Sequence, residues 1–577
     1  MSDLLNSASL VMIPSGYKED VVYSPVPTDG SGDLSFTRAS NGTRINSAGL
    51  VEVCPWNLLE QSEDFSNAYW TKVNATITSN STTAPNGTTT ADTITDNSTN
   101  GVHCVILYST WATSQQTASV YAKAGTSSKI FIGNLTEGRG SYFNLSDLSI
   151  VNSSNFVGSI ESVGNGWYRL IATHTAASSS TFGIGLFTGT STINYVGTGQ
   201  TAYIYGAQLN IGSTAKPYFP TTDRLNVPRL TYQNGGGGCP SLLLEKQSTN
   251  YIVYSEDLTQ GDWSKQNSTV TGNSTTSPDG TQNADLWYPS TNGDVSSRRL
   301  LQSCTVSTSG VNITATVYVK RNNKRWLFFA GPDATSANHN CWFDIQNGVV
   351  GTKGSAVVSA TIDNIGNGWY RCSVTSLATS TTQYVFLSAT DADADGTVTA
   401  NGTDGMYFYG AQLEPSSYPT SYIPTTSSSA TRVADYPSRS GLALTNFTFA
   451  VNFKPLAYIV ELFDFEKTGS GRMFYVAVNS SGFITFNSVS GGSIGAIGSV
   501  IPINQTCKLA FKLNASTSNL TVFINGSNIG TFTTNITTFG AFFGLQSFGY
   551  NPGTQIEQIA IFPSVLTDAE CISLTTI

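Results

Sequence analysis

Along most of the chain, apolar and polar positions alternate with a period of two. In Ala118-Ser119-Val120-Tyr121-Ala122-Lys123 the small apolar side chains fall on one face, and Ala315-Thr316-Val317-Tyr318-Val319-Lys320 repeats the pattern. Such alternation predicts half-buried antiparallel strands. Phe447-Thr448-Phe449-Ala450-Val451-Asn452-Phe453 and Cys507-Lys508-Leu509-Ala510-Phe511-Lys512-Leu513 read the same way. The run from Leu520 to Ile524 leads into Asn525-Gly526, a pair that accepts positive φ at both central positions of a type I′ hairpin. A helical signal appears at Thr567-Asp568-Ala569-Glu570, a capping-box string predicting one short helix. Many short strands with Gly, Asn and Ser turns predict an all-β chain of tandem antiparallel β-sandwich domains with little helix.

The strand pattern is duplicated. Asn57-Leu58-Leu59 with Ser62-Glu63-Asp64 and Trp70 returns as Asn250-Tyr251-Ile252 with Ser255-Glu256-Asp257 and Trp263. Further on, Gly164-Asn165-Gly166-Trp167-Tyr168-Arg169 returns as Gly366-Asn367-Gly368-Trp369-Tyr370-Arg371, and Tyr205-Gly206-Ala207-Gln208-Leu209 as Tyr409-Gly410-Ala411-Gln412-Leu413. The offset grows only between matching blocks, which places insertions in loops and gives both segments one fold. Each copy closes on a Pro-containing exit, at Pro217 to Thr222 and Ser421 to Thr426. The expected organisation is an N-terminal segment 1–50, a first sandwich 51–222, a linker 223–248, a second sandwich 249–426 and a last sandwich 427–577. The glycine run Gly235 to Gly238 has no following Gly-Lys-Ser/Thr and reads as a flexible connector rather than a phosphate loop.

Composition narrows the function classes. Of 577 residues only 11% are charged, against about 25% in an ordinary globular protein, and the formal net charge is −9. No basic surface is available to neutralise phosphates, so neither nucleic acid nor membrane insertion is expected. The opening Met1-Ser2-Asp3-Leu4-Leu5 has no basic segment before an apolar stretch, and no run of about 18 apolar residues occurs, so neither Sec secretion nor a membrane span is expected. Hydrophobic residues at 39% are enough for folded cores. The 8 Cys contain no CxxC and read as reduced thiols, and without a secretory route the Asn-x-Ser/Thr triplets read as compositional.

Three strings carry a family resemblance. The run Phe36-Thr37-Arg38-Ala39-Ser40-Asn41-Gly42-Thr43-Arg44-Ile45-Asn46, the module entry Asn57 to Phe65, and the link from Pro228-Arg229-Leu230-Thr231-Tyr232 to Pro240-Ser241-Leu242-Leu243-Leu244-Glu245 resemble fibre and other appendage proteins of tailed bacteriophages. The two copies look like jelly-roll carbohydrate-binding modules, and residues 427–577 are similar to concanavalin A-like or laminin G-like sandwiches. The resemblance implies a virion structural protein, a head or tail fibre, assembled in the host cytoplasm and displayed on the virion surface. Residues 1–50 would attach to other virion proteins, the modules would meet host-surface polysaccharide, and the chain would be a homo-oligomer, trimer or dimer. A non-adhesive capsid decoration or connector protein is the first alternative reading, and a glycan-degrading enzyme the second.

Candidate chemistry is sparse. An indole can cover the apolar face of a sugar ring. Trp70, Trp263, Trp167 and Trp369 recur between copies and therefore read as shared core, whereas Trp111, Trp287 and Trp326 lack a Trp counterpart and are the candidate carbohydrate-binding residues. Asp391, Asp393 and Asp395, in Asp391-Ala392-Asp393-Ala394-Asp395-Gly396, copy the start of an EF-hand loop, making calcium the candidate ion, although Gly402 stands where that loop has its bidentate Glu. No other cofactor is expected. Gly491-Gly492-Ser493-Ile494-Gly495 matches a nucleophile-elbow string, yet His103, His174 and His339 all precede it and a loop is expected. No catalytic residues are assigned and the chain is read as a non-enzyme. Arg169 and Arg371 are expected to brace backbone carbonyls in the two copies.

Overall fold

A computed structural model describes residues 2–577 apart from 112–114, 307–308, 332–336, 443, 459, 468–470, 489–491, 515, 534–541 and 545–552. The chain forms two compact units, Pro55–Arg224 and the combination of Met1–Cys54 with Leu225–Ile577. Helix among the described residues is confined to Ser2–Leu5 and Asp568–Thr575 with two short 3-10 turns, and no helix is long and apolar enough to cross a membrane. The chain is all-β, built from antiparallel β-sandwiches.

The unit Pro55–Arg224 is a jelly-roll sandwich. One sheet runs Ser149–Asn152, Arg139–Asn144, Lys129–Asn134, Ser180–Leu186, Asn100–Trp111 and Asn194–Val196, with Thr71–Val73 also on Asn100–Trp111. The other runs Phe156–Gly164, Trp167–Thr175, Gln115–Ala124, Thr201–Ile211, Ala91–Asp96 and Ala75–Thr82. Packing between them pairs bulk with its absence. Ile130, Ile132, Phe143, Phe182 and Ile184 of the first sheet fill against Ala118, Val120, Ala122, Ala172 and Ala207 of the second. This interdigitation at interior density is what the period-two runs encode.

The other unit holds the second copy. Its sheets follow the same spatial order, with Thr382–Thr390 flanked by Arg299–Thr305 and Trp326–Ala330, and Asn312–Asn322 flanked by Gly405–Glu414 and Trp369–Leu377. The recurring strings are structural. Asn57 and Asn250 each donate through Nδ2 to two backbone carbonyls, and Gln208 and Gln412 each accept a backbone amide, at 2.9 and 2.7 Å. In the Gly-Asn-Gly-Trp turns Asn165 and Asn367 both have φ of 53°, and the following Trp167 and Trp369 donate to the Thr83 and Thr276 carbonyls. Arg169 and Arg371 donate to the Lys216 and Thr420 carbonyls at 2.6 and 2.7 Å, as expected of a shared brace.

The last sandwich departs from the expected boundaries because it is a composite. Leu10–Met12 pairs with Gly553–Phe562, as do Ser241–Glu245 and, through them, Leu230–Thr231. Tyr17–Lys18, Val21–Val22 and Leu34–Thr37 enter the facing sheet beside Tyr436–Ser440. Leu10, Met12, Val22, Leu34, Phe36, Leu242 and Leu244 therefore share one core with Phe449, Phe463, Phe511 and Ile559. Stretches of residues 10–37 and of 230–245 thus supply strands to this sandwich, since apolar alternation shows that a strand exists but not which sheet accepts it.

The glycine run is no loose connector either. Gly235 to Gly238 all have positive φ, from 73° to 84°, and a Cβ on Gly236 would lie 2.6 Å from the Gly49 nitrogen. Only glycine permits that backbone conformation and that approach. Asn525 and Gly526, with φ of 47° and 80°, form the expected I′ turn, and Thr567 and Glu570 complete the capping box. Gly492–Ile497 is a strand rather than a loop, and Gly491 lies outside the described residues.

Candidate functional site

The three tryptophans proposed from sequence have different fates. Trp111 is fully buried, donating through Nε1 to the Gly133 carbonyl at 3.2 Å with Phe156, His174 and Phe182 around its ring. Trp287 is fully buried in the core of the second module. Its place is taken in the first module by Ile94, also buried, so an indole and an aliphatic fill one core position and the missing Trp counterpart did not mark a surface. Neither ring has a face to offer a sugar. Trp326 does reach the surface. It is half-buried, on the outer side of Trp326–Ala330, with the Arg325 guanidinium 5.3 Å from its ring centroid.

The acidic loop does not gather its carboxylates. Asp391 pairs with Lys324 at 2.7 Å and accepts from Thr399. Asp393 accepts from the Thr352 amide and hydroxyl at 2.8 and 3.1 Å, and Asp395 from the Thr397 amide at 2.9 Å. Each carboxylate is engaged separately, and among the described residues no group of three His, Cys, Asp or Glu could hold a metal ion. The EF-hand-like string is a surface loop whose carboxylates each take their own partners, inside and outside the loop. Trp326 and Asp393 meet over Gly351, where a Cβ would lie 2.7 Å from the indole and 2.5 Å from the carboxylate.

A larger concavity lies inside the unit that holds the second module. It is a cleft of about 730 Å³, within the range of about 300–1,000 Å³ typical of small-ligand sites. One wall is the outer face of Val357–Gly366, presenting Thr361, Asp363 and Ile365, with Arg371 on the neighbouring strand directly opposite Asp363. The other is the C-terminal sandwich, contributing Lys454, Leu456, Tyr458 and Asn504. Tyr232, following Leu230–Thr231, and the hairpin of Gly42–Ile45 and Val51–Cys54 close one end. Tyr232 and Tyr458 are half-buried, so each keeps part of its ring toward the cleft, and Tyr458 packs over Gly482.

Beneath the cleft is a buried ionic cluster drawn from four separated segments. Arg38 pairs with Asp435 at 2.7 Å, Arg229 with Asp435 and with Glu245 at 2.8 Å, and Arg432 with Glu245 at 3.2 Å, every side chain being 0–2% exposed. The Ser421 amide and hydroxyl, at the exit of the second module, each donate to Glu245 at 2.6 Å. Burial alone would push the Glu245 carboxyl up, but Arg432 and Arg229, with Ser421, hold it down at about 2. Burial lowers Arg38 despite Asp435 beside it. The strings behind the phage-appendage resemblance supply Arg38, Arg229 and Glu245, so those motifs build the floor of the cleft. Tyr232, Asp363, Lys454 and Tyr458 escaped the sequence reading because they come from separate segments with no shared spacing; the only signal near them was Tyr232 at the end of the Pro228 string.

No protein-family model matches the chain, and no curated protein matches it. Among solved structures the chain is similar to the CBM40 module of the Ruminococcus gnavus IT-sialidase bound to α2,3-sialyllactose, at 19% identity and a TM-score of 0.21, covering 23% of this chain and 84% of that one. It is similar to domain 4 of AbnA, a GH43 extracellular arabinanase from Geobacillus stearothermophilus, with arabinotriose, at 19% identity and a TM-score of 0.21, covering 27% and 81%. The LG1-3 region of the laminin α2 chain is similar at 10% identity and a TM-score of 0.18, covering 82% and 97%. These scores are too low to transfer a ligand or a role.

Proposed function

We propose that this chain is a non-enzymatic glycan-binding protein of the tailed-phage appendage type, a head or tail fibre, that meets host-surface polysaccharide through the cleft above the buried ionic cluster. The observation that carries the reading is the cleft itself, about 730 Å³ lined by the tyrosine rings of Tyr232 and Tyr458 and by Thr361, Asp363, Arg371, Lys454 and Asn504. Aromatic faces suit the apolar side of a pyranose, and interspersed donors and acceptors suit its hydroxyls. Binding without cleavage fits the lining. A glycosidase needs two working carboxylates about 5–10 Å apart, whereas here Glu245 is locked between arginines and Asp363 is left as the other acid of the described lining.

A single shallow saccharide site binds weakly, so adhesion would depend on several copies acting together in a homo-oligomer, trimer or dimer. Attachment to the particle, expected of residues 1–50, then falls to the composite sandwich that contains them. Titration of the full chain with a panel of purified bacterial surface polysaccharides tests the proposal. Binding without release of reducing ends, weakened about tenfold by Tyr458→Ala at unchanged melting temperature, is the expected result. Release of reducing ends would instead establish a glycan-degrading enzyme, and incorporation into particles with no polysaccharide binding would establish a connector or decoration protein.

A further inference from the structure

Resting on the saccharide reading of the cleft, we infer that the site selects acidic saccharides, those carrying a carboxylate on the sugar ring. The inference comes from a charge balance that runs against the rest of the molecule. The chain has a formal net charge of −9, so an average surface repels anions. In the cleft the balance is reversed. Arg44 is matched by Glu52 at 2.8 Å, and Arg371 stands opposite Asp363. Lys454 lines the cleft half-buried, and its ammonium has no hydrogen-bond or ionic partner among the described residues.

The floor adds to this. In the ionic cluster three guanidiniums, Arg38, Arg229 and Arg432, face two carboxylates, Asp435 and Glu245, leaving one positive charge uncompensated. The flanking Lys246 and Glu414 cancel one another. Arg371 is committed through its Nη2 to the Thr420 carbonyl at 2.7 Å. A cleft with an unmatched ammonium at its wall and a positive floor offers an anion favourable charge, while Asp363 is left to accept from sugar hydroxyls.

The test uses the full chain and a matched pair of probes, tetragalacturonate and the neutral galactotetraose, which differ in the carboxylate at each ring. Tetragalacturonate is expected to bind about tenfold tighter at low salt, with the preference shrinking toward equality in about 0.5 M NaCl. Lys454→Gln should remove the preference and Lys454→Arg retain it, both at the wild-type melting temperature. Asp363→Asn, which removes the acid opposite Arg371, should raise the preference for tetragalacturonate over galactotetraose about threefold. Equal binding of the two probes, indifferent to Lys454→Gln, would overturn charge selection and leave the saccharide reading standing. Binding of neither at millimolar concentration would overturn the saccharide reading and the inference with it.

Discussion

Asn86 in the first module and Asp279 in the second hold the same place in their folds, yet they treat the neighbouring tyrosine in opposite ways. Asn86 Nδ2 donates to the Tyr205 hydroxyl at 2.9 Å, and that hydroxyl donates to Glu63 at 2.5 Å. In the second module the Tyr409 hydroxyl lies 3.0 Å from Glu256 and 3.2 Å from Asp279, with one proton to share between two carboxylates. Burial first, and the Asp279 charge second, push the Glu256 carboxyl from 4.5 up to about 7.

A stability difference between the copies follows. Because the folded value of Glu256 is raised, the folded state holds a proton that the unfolded chain has released, so its contribution to stability falls as pH rises from about 4.5 to about 7 and levels off above. Asp279→Asn, which copies the first module and keeps the Oδ1 that caps the Thr281 amide, should flatten that slope and raise the melting temperature at pH 8. Thermal melts of both chains at pH 5 and pH 8 check this; an equal shift at the two values would show that the Asp279 charge is not the cause.

The ionic cluster makes the opposite prediction for acid. Glu245 is held at about 2 against an ordinary 4.5, so the stability it contributes is present above about 4.5 and lost as pH falls toward 2. Glu245→Gln leaves Arg229 and Arg432 without their shared counter-charge and should cost about 3–5 kcal/mol at neutral pH, read as a lower urea midpoint. Its midpoint should also change less than the wild type's between pH 4.5 and 2.5.

The tryptophans separate by burial. Trp287→Ala opens a cavity in the second module and should destabilise it by about 3–5 kcal/mol, whereas Trp287→Ile, copying Ile94, should cost less. Trp326→Ala, at a half-buried position, should stay within about 1 kcal/mol. Denaturant unfolding curves distinguish the three.

Backbone contact, rather than flexibility, should govern the glycine run. A Cβ on Gly49 would lie 2.4 Å from the Gly235 carbonyl carbon, and Gly49 has φ of 81°. Gly49→Ala should therefore destabilise the unit by more than about 1 kcal/mol, with faster amide exchange around residues 46–50 and 233–238. Gly138→Ala serves as a control, because it shares the positive φ but meets nothing within 4 Å, and so should cost less.

Local chemistry was legible in the sequence, and partnership was not. Alternation located the strands, Asn525-Gly526 its hairpin and Thr567 to Glu570 the capped helix, because each depends on neighbours in the chain. The repeat gave the common sandwich and the carbonyl braces of Arg169 and Arg371. What failed was any inference needing a distant contact. Leu10–Met12 and Leu34–Thr37 read as part of a separate segment because nothing in an isolated strand names its sheet. Trp287 read as surface because position equivalence was judged by residue type, when Ile94 serves the same core. The cleft was invisible because its lining is assembled only when four stretches converge on the Arg229 and Glu245 pair.

The pairing of Leu10–Met12 with Gly553–Phe562 has a consequence for synthesis. At ribosomal rates of roughly 5–20 residues per second, Leu10–Met12 emerges about half a minute to two minutes before its partner exists. Through that interval Leu10 and Met12 have no strand to pair with, so a strand made early is among the last to be buried. Truncation near residue 550 should therefore strand the two ends together, exposing apolar surface to chaperones and proteases while the jelly roll of residues 55–224 still folds.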